Sequence, residues 1–324
     1  MTDNILIDRL MQKPRYINPY TDFGFKKLFG TPLNKELLIS FLNSLFHGKE
    51  VIKDLTYLNS ERLGALADDR KAIFDVYCEN EQGEKFIVEM QKAEQQYFKD
   101  RSVFYASFPI QEQAKKGSWN FQLKAVYLVG ILDFVFPEDK YAPDCLRHEI
   151  KLMDVDDKHV FYDKLTFLYL EMPKFNKKED ELDGMYDKWL YVLKNLAFLL
   201  KRPAALQERV FTRLFEQAEI ARYSPAEKWE YQESLKVYWD LINVVSTAER
   251  KGLRKGREEG RKQGREEGRK EGREEGRKQG REEGRKQGER EAKLSNAKAM
   301  KADGMPCDLI AKYTGLPLKD IESL

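Results

Sequence analysis

The 324-residue chain is long enough for one sizeable folded domain with appendages. Its net charge of +2 gives no global signal for nucleic-acid binding, so any basic surface has to come from local clustering. Three widely spaced cysteines, Cys78, Cys145 and Cys307, exclude a disulfide framework, and they form no zinc-type spacing with the histidines. Apolar runs fall short of the about 20 residues that a membrane span needs, and no signal peptide is recognised. We therefore expect a soluble, cytoplasmic protein without a membrane partner.

The first 135 residues show the patterns of a mixed α/β layer architecture. Helical spacing of apolar residues predicts amphipathic helices, alternation predicts half-buried strands, and an unbroken apolar run predicts a strand buried on both faces. In chain order we predict an aromatic, helical or turn-rich segment at Ile17–Gly30, a helix from Pro32 to Phe46, a strand at Val51–Leu58, a hairpin of Lys71–Cys78 and Lys85–Gln91, a helix at Tyr97–Lys116 ending near Gly117, and a strand at Leu123–Phe134.

Beyond this core the pattern becomes helical. Lys151–Val155 and Leu165–Glu171 are predicted as further edge strands, and apolar residues recur at helical spacing from about Asp180. The predicted domains are an α/β core at residues 1–175, a helical subdomain at 176–250, a charged glycine repeat at 251–290 and a small helical unit at 291–324.

The glycine repeat places glycine at every fourth position from Gly252 to Gly288, among fourteen Lys or Arg and nine Glu. Each interior glycine costs a helix about 1 kcal/mol relative to alanine, more than an i,i+4 ion pair such as Glu258–Lys262 returns. We predict a marginal helix, about 55 Å long if complete, or a flexible charged tether. A solvated spacer, an intermolecular helix and a nucleic-acid contact are alternative roles, the last disfavoured by the glutamates.

Three short helices are predicted at the C terminus, at Lys293–Ala302, Pro306–Tyr313 and Pro317–Leu324. The unit resembles a small helix-turn-helix, but the helix in the recognition position is short and acidic. Protein binding is therefore as well supported as DNA binding. Homo-oligomerisation through the repeat and this unit is a further hypothesis.

Two carboxylates of the predicted hairpin, Asp75 and Glu89, carry the chemistry that the sequence suggests. Strand parity places both on one side together with the Gln91 amide. Carboxylates that share a site repel one another, and a hard divalent cation such as Mg²⁺ relieves that repulsion. Such a metal can activate water and neutralise charge on a phosphodiester. The spacing alone also fits an ordinary solvent-facing pair.

Several separated segments resemble the PD-(D/E)XK nuclease family transposases, also called the Rpn family of recombination-promoting nucleases. They are Asn18–Gly30, Phe74–Val76 and Ile87–Gln91, and Arg101, Tyr105 and the Leu123–Leu132 strand fit the same pattern. The resemblance implies a restriction-endonuclease-like α/β core with a central mixed sheet flanked by helices. It also implies dependence on Mg²⁺, with Mn²⁺ as an alternative ion, and DNA endonuclease activity linked to recombination or mobile elements.

Carried over residue by residue, the resemblance implies that Asp75 and Glu89 are metal ligands and catalytic residues. Gln91 takes the place usually held by the lysine of the motif, and Asp22 matches an upstream acidic position as a further catalytic candidate. A non-catalytic DNA-binding or protein-interaction module on a nuclease fold is the alternative.

The glutamine is the departure that matters, because lysine could stabilise the attacking hydroxide whereas a neutral amide can only hydrogen-bond. Lys92 is expected on the opposite face of the strand from Gln91. Lys85 has the right parity but lies about 20 Å from Gln91 along an extended strand. Neither lysine is therefore expected to replace the missing one.

Overall fold

The computed structural model of the chain describes residues 14–46, 52–62, 72–114, 120–139, 142 and 144–324. The chain forms one compact unit that ends at Ser246 and a second from Thr247 to Leu324. His47, the first residues of the strands predicted at Val51–Leu58 and Lys71–Cys78, and the predicted helix end near Gly117 lie outside the described residues.

Eight strands are found in the described part of the first unit. In chain order they are β1 (Leu55–Tyr57), β2 (Glu61–Arg62), β3 (Ala72–Ile73), β4 (Val76–Asn80), β5 (Lys85–Gln91), β6 (Val126–Leu132), β7 (Arg147–Met153) and β8 (Val160–Glu171). Six of them make one mixed sheet in the order β1-β4-β5-β6-β8-β7, and β2 pairs with β3. β5, β6 and β8 run parallel, so the C-terminal ends of these three strands lie side by side.

The sheet is sandwiched between helices, which confirms the predicted α/β core. The α-helices of the described residues in both units are α1 (Asp22–Phe29), α2 (Lys35–Leu45), α3 (Phe98–Gln111), α4 (Gly184–Asn195), α5 (Arg209–Ala218), α6 (Pro225–Ala302), α7 (Cys307–Thr314) and α8 (Leu318–Glu322). One face of the sheet packs in a large apolar core with α1, α2, α4 and α5, and the other packs against α3. All seven residues of β6 are buried, as its unbroken apolar run predicts.

Two strand predictions differ from the structure. The predicted strand Lys71–Cys78 is interrupted, because the chain bends at Asp75 between β3 and β4. Phe74 therefore packs on the α3 side with Tyr77, and not with Val76 as the alternation predicted. β8 is not an edge strand, because β7 returns antiparallel along its outer side. In agreement with this interior position, the last six residues of β8 are buried.

A buried turn fixes the start of α1 and requires glycine at position 24. The Thr21 hydroxyl donates to the Asn18 carbonyl at 2.7 Å and accepts from the Gly24 N–H at 3.0 Å, so it caps the helix. A Cβ added at Gly24 would lie 2.1 Å from the Asn18 carbonyl oxygen, inside any allowed contact. This tight turn explains the aromatic, glycine-containing pattern of Ile17–Gly30.

Gly24→Ala should destabilise the first unit by about 3 kcal/mol, because the new methyl group can be accommodated only by moving backbone. Urea unfolding followed by the fluorescence of the fully buried Trp189 measures this loss. Gly264→Ala is the control, since nothing lies within 4 Å of its added Cβ. Equal stability of the two variants would contradict the packing argument.

The second unit combines the glycine repeat with a small helical core. The repeat lies within α6 and its residues are exposed, so of the two forms the sequence left open, the structure shows the helix. Ion pairs at i,i+4 such as Lys286–Glu282, at 3.0 Å, support it. The end of α6 packs with α7 and α8 around Ala297, Ile310 and Ile321. Within the described residues, no helix is long and apolar enough to cross a membrane.

Candidate active site

Asp75 and Glu89 lie together where β4 begins and β5 ends. The Asp75 N–H donates to Glu89 Oε1 at 3.2 Å, and the Met90 N–H donates to Asp75 Oδ2 at 2.8 Å. These crossed bonds tie each carboxylate to the backbone of the opposite segment. Asp75 and Glu89 are the residues next to Val76 and Val88, the last pair of the β4–β5 ladder. The bend that removes Asp75 from the strand thus still brings its side chain next to that of Glu89.

The two carboxyl groups are kept from ionising freely. Burial first and the nearby Asp75 charge second raise the pKa of Glu89 to about 8, against the opposing effects of a hydrogen bond from the Asp75 backbone and of the Arg101 and Lys26 charges. Burial also raises the pKa of Asp75, to which the Asp22 charge contributes. Only 9% of the Glu89 surface is exposed. A buried and a half-buried carboxylate that repel one another are a set of oxygen donors that a hard divalent cation fits.

Gln91 holds an arginine beside this pair. Its side-chain amide donates to the Ala93 carbonyl at 2.8 Å, and its Oε1 accepts a short hydrogen bond from Arg101 of α3. The Arg101 charge in turn lowers the pKa of Glu89. Where the family's motif usually has a lysine, this chain therefore has a glutamine that positions a guanidinium supplied by the neighbouring helix.

Asp22 and Lys92 lie at the rim of the pair. Asp22, in the first turn of α1, forms an exposed ion pair with Lys26 at 3.0 Å, and its charge acts on Asp75. Partial burial lowers the pKa of Lys92, and the Asp22 and Asp75 charges oppose that shift. β5 ends at Gln91, so the strand parity that was expected to direct Lys92 away does not apply to it. The predicted strand Lys85–Gln91 has this same end.

Lys85 lies at the other end of β5. Its ammonium forms a short ion pair with Glu79 across the hairpin, next to the turn. The charges of Lys26, Lys92 and Arg101 act on the carboxylate pair, and the sequence patterns assign none of these three cations a role at it. Lys85 is paired with Glu79 instead.

Two other groups of three acidic or histidine side chains occur in the described residues, each with ligand atoms within 4.8 Å of one another. One is Asp139, His148 and Glu171, at the end of β8. In that group the fully buried Glu171 already forms an ion pair with Lys174 at 2.5 Å and accepts the Phe136 N–H. The other, Asp154, Asp157 and His159, is exposed in the β7–β8 turn. Neither group contains Asp75 or Glu89.

A mixed sheet with three parallel strands, helices on both faces and a carboxylate pair at the strand ends constitutes a restriction-endonuclease-like α/β core. A family model described as PD-(D/E)XK nuclease family transposase matches residues 19–248, and the chain belongs to that family. This membership supports a nuclease-type function. No curated protein and no solved structure matches the chain.

Proposed function

We propose that this protein is a divalent-metal-dependent DNA endonuclease with its active centre at Asp75 and Glu89. The observation that supports this most strongly is the crossed hydrogen bonding of the two carboxylates, together with the raised pKa of Glu89. An ordinary surface pair on a hairpin would be solvated and would keep its pKa near the usual value. Energetically unfavourable burial of paired acids is typical of functional sites.

The proposed ligands of the ion are Asp75 and Glu89, with Mg²⁺ or Mn²⁺ as the ions that oxygen donors favour. When bound, the ion supplies a water of lowered pKa and offsets negative charge on the phosphodiester. Lys92 and Arg101 place positive charge beside the same position, where it can stabilise the charge that develops on the phosphate. Gln91 acts as a positioning residue, because it orients Arg101.

Cleavage of supercoiled plasmid by the purified full chain tests the proposal. We expect nicking with Mg²⁺ or Mn²⁺ and none with EDTA. DNA binding without cleavage under every metal condition would refute the endonuclease assignment and favour the alternative, a non-catalytic module on a nuclease fold. We also propose that this activity serves recombination or mobile elements. Homo-oligomerisation through the repeat and the C-terminal unit remains a prediction.

Lys92→Gln should lower the cleavage rate by about 10- to 100-fold, because it removes a cation that faces Asp75. Metal affinity should change little, since Lys92 is not a ligand. Single-turnover cleavage with saturating Mg²⁺ separates the two effects. Lys85→Gln is the matched control, as its ammonium pairs with Glu79 at the opposite end of the strand. Equal rates for the two variants would remove Lys92 from the active centre.

A further inference from the structure

An open cavity of about 590 Å³ lies on the N-terminal half of α3. Its lining includes the aromatic residues Tyr97, Phe104 and Tyr105, the guanidinium of Arg101 and the amides of Gln95 and Gln96. Tyr97 is 66% exposed and Phe104 is 45% exposed. Exposed aromatic rings clustered in a cavity mark a binding surface, since large apolar side chains are rarely grouped this way on a surface without a partner.

Two aromatic residues of the cavity, Phe104 and Tyr105, pack against other rings of the protein. The Phe104 ring packs edge-on against Phe108, with centroids 5.0 Å apart, and the Tyr105 ring packs edge-on against the buried Phe74 at 5.2 Å. The Arg101 guanidinium lies 5.7 Å from the centroid of Tyr105. Rings held in this way keep their exposed faces in place, so little conformational entropy is lost when a flat ligand stacks on them.

Arg101 links the cavity to the carboxylate pair. Arg101 lines the cavity and also donates to Gln91, two residues from Glu89. Burial raises the pKa of Tyr105, and the Glu89 and Asp75 charges contribute to that shift, so this ring lies within electrostatic reach of both acids. A ligand group in the cavity would therefore lie beside any phosphate that is held at Asp75 and Glu89.

The rings and the guanidinium of the lining suit a ligand that carries flat rings beside negative charge. Asp100 and Arg101 are the charged residues of the lining, and the Arg101 charge acts on Glu89, so the positive charge lies on the side of the carboxylates. Aromatic and guanidinium planes stack on nucleobases whatever their sequence, and neighbouring amides can bond to base edges. Bases of a duplex have their faces covered by stacking and reach such a cavity only after extrusion.

We propose that the cavity formed by Tyr97, Arg101, Phe104 and Tyr105 binds an unpaired nucleobase next to the phosphate at the carboxylates, so that DNA is cut where its bases are unpaired, in single strands and in the locally unpaired segments of a supercoiled plasmid. This inference rests on the proposed function, which identifies the ligand as DNA. It adds the substrate class and the residues that select it.

Fluorescence of 2-aminopurine tests the stacking in the absence of cleavage. The probe is a DNA strand of about 15 nucleotides with one 2-aminopurine, used alone or annealed to its complement, with the full chain in EDTA. We expect quenching and tighter binding of the single strand than of the duplex. The double variant Tyr97→Ala with Phe104→Ala should bind the single strand about tenfold more weakly, with duplex binding unchanged.

Two matched variants make this test specific. Val103→Ala removes an exposed apolar side chain of the same helix that does not line the cavity, and it should bind like the wild type. Tyr97→Phe with Phe104→Tyr keeps the rings and should also retain binding. Equal loss on single and double strands, or no loss in the alanine variant, would overturn the inference.

The inference and the proposed function fail in different ways. Single-strand stacking without metal-dependent cleavage would keep the base-binding cavity and refute the endonuclease. Metal-dependent cleavage of duplex that the alanine variant leaves unchanged, with no quenching of the single strand, would refute the cavity and keep the endonuclease.

Discussion

Asp75→Asn and Glu89→Gln should each lower metal-dependent DNA cleavage by about a thousandfold or more, equivalent to about 4 kcal/mol of activation free energy. Each substitution replaces one of two anionic oxygen donors by a neutral amide, which binds a hard cation weakly. The shapes are nearly unchanged, so the Asp75 and Met90 N–H groups can still find an amide oxygen as acceptor. Single-turnover nicking of plasmid measures the loss.

The control for this experiment is Glu79→Gln. Glu79 lies on the same hairpin as the carboxylate pair, but at its turn end, where it pairs with Lys85. We expect this variant to cleave at nearly the wild-type rate. Binding of Mn²⁺ should weaken in the Asp75 and Glu89 variants alone. Wild-type rates in either of those two would show that the metal, if one acts, is held elsewhere.

Asp22→Asn addresses the third candidate carboxylate and should have a smaller effect. Asp22 is exposed and paired with Lys26, and it influences Asp75 through its charge. The contrast between the strong effect at Asp75 and the weak effect at Asp22 would place the latter at the rim of the centre. It extends the same cleavage series and needs no separate assay.

Much of the fold could be predicted because buried residues recur in the sequence at the spacing of a helix or a strand. β5 alternates cleanly, β6 is apolar throughout, and the helix at Pro32–Phe46 shows its apolar stripe, so these elements were found within a few residues. The family resemblance, confirmed over residues 19–248, located the carboxylates along the chain. Local pattern and family motif agree here because the same strands build the core and carry the acids.

The parts that the sequence could not supply depend on where strands end and on contacts between distant segments. Strand parity places a side chain only while the strand lasts, so it failed for Phe74 at the bend and gives no placement for Lys92 beyond β5. The pairing of Gln91 with Arg101 joins a strand to a helix, and no periodicity encodes it. For the glycine repeat, low helix propensity outweighs the ion pairs, and the sequence shows no packing contact that would decide between a helix and a tether.

The stability of the metal-free protein should fall as pH rises towards 8, which is the reverse of an ordinary salt-bridged acid. The pKa of Glu89 is raised from 4.5 to about 8 by burial first and by Asp75 second. Between these values the folded state holds a proton that the unfolded state has released. Raising the pH therefore favours unfolding, with a slope of at most about 1.4 kcal/mol per pH unit from this group.

Divalent metal should reverse this trend, because an ion bound at Asp75 and Glu89 takes the place of the proton. Thermal unfolding in EDTA and in Mg²⁺, from about pH 6.5 to about pH 8.5, measures both effects. We expect the metal-induced rise in Tm to be larger at the upper pH, where no proton competes. Asp75, whose pKa burial also raises, adds to the slope in the same direction. The range lies above the pKa of about 6 to which burial raises the half-buried Asp133, so that group adds little.

Glu89→Gln should flatten the pH dependence in EDTA and abolish the stabilisation by metal, since the amide neither titrates nor replaces the carboxylate as a ligand. The variant should also be more stable than the wild type at the upper end of the range, because it removes the buried charge. A wild-type slope of opposite sign would mean that Glu89 is ionised and paired in the metal-free protein. The raised pKa on which the proposed metal centre depends would then be wrong, even if the two side chains are neighbours.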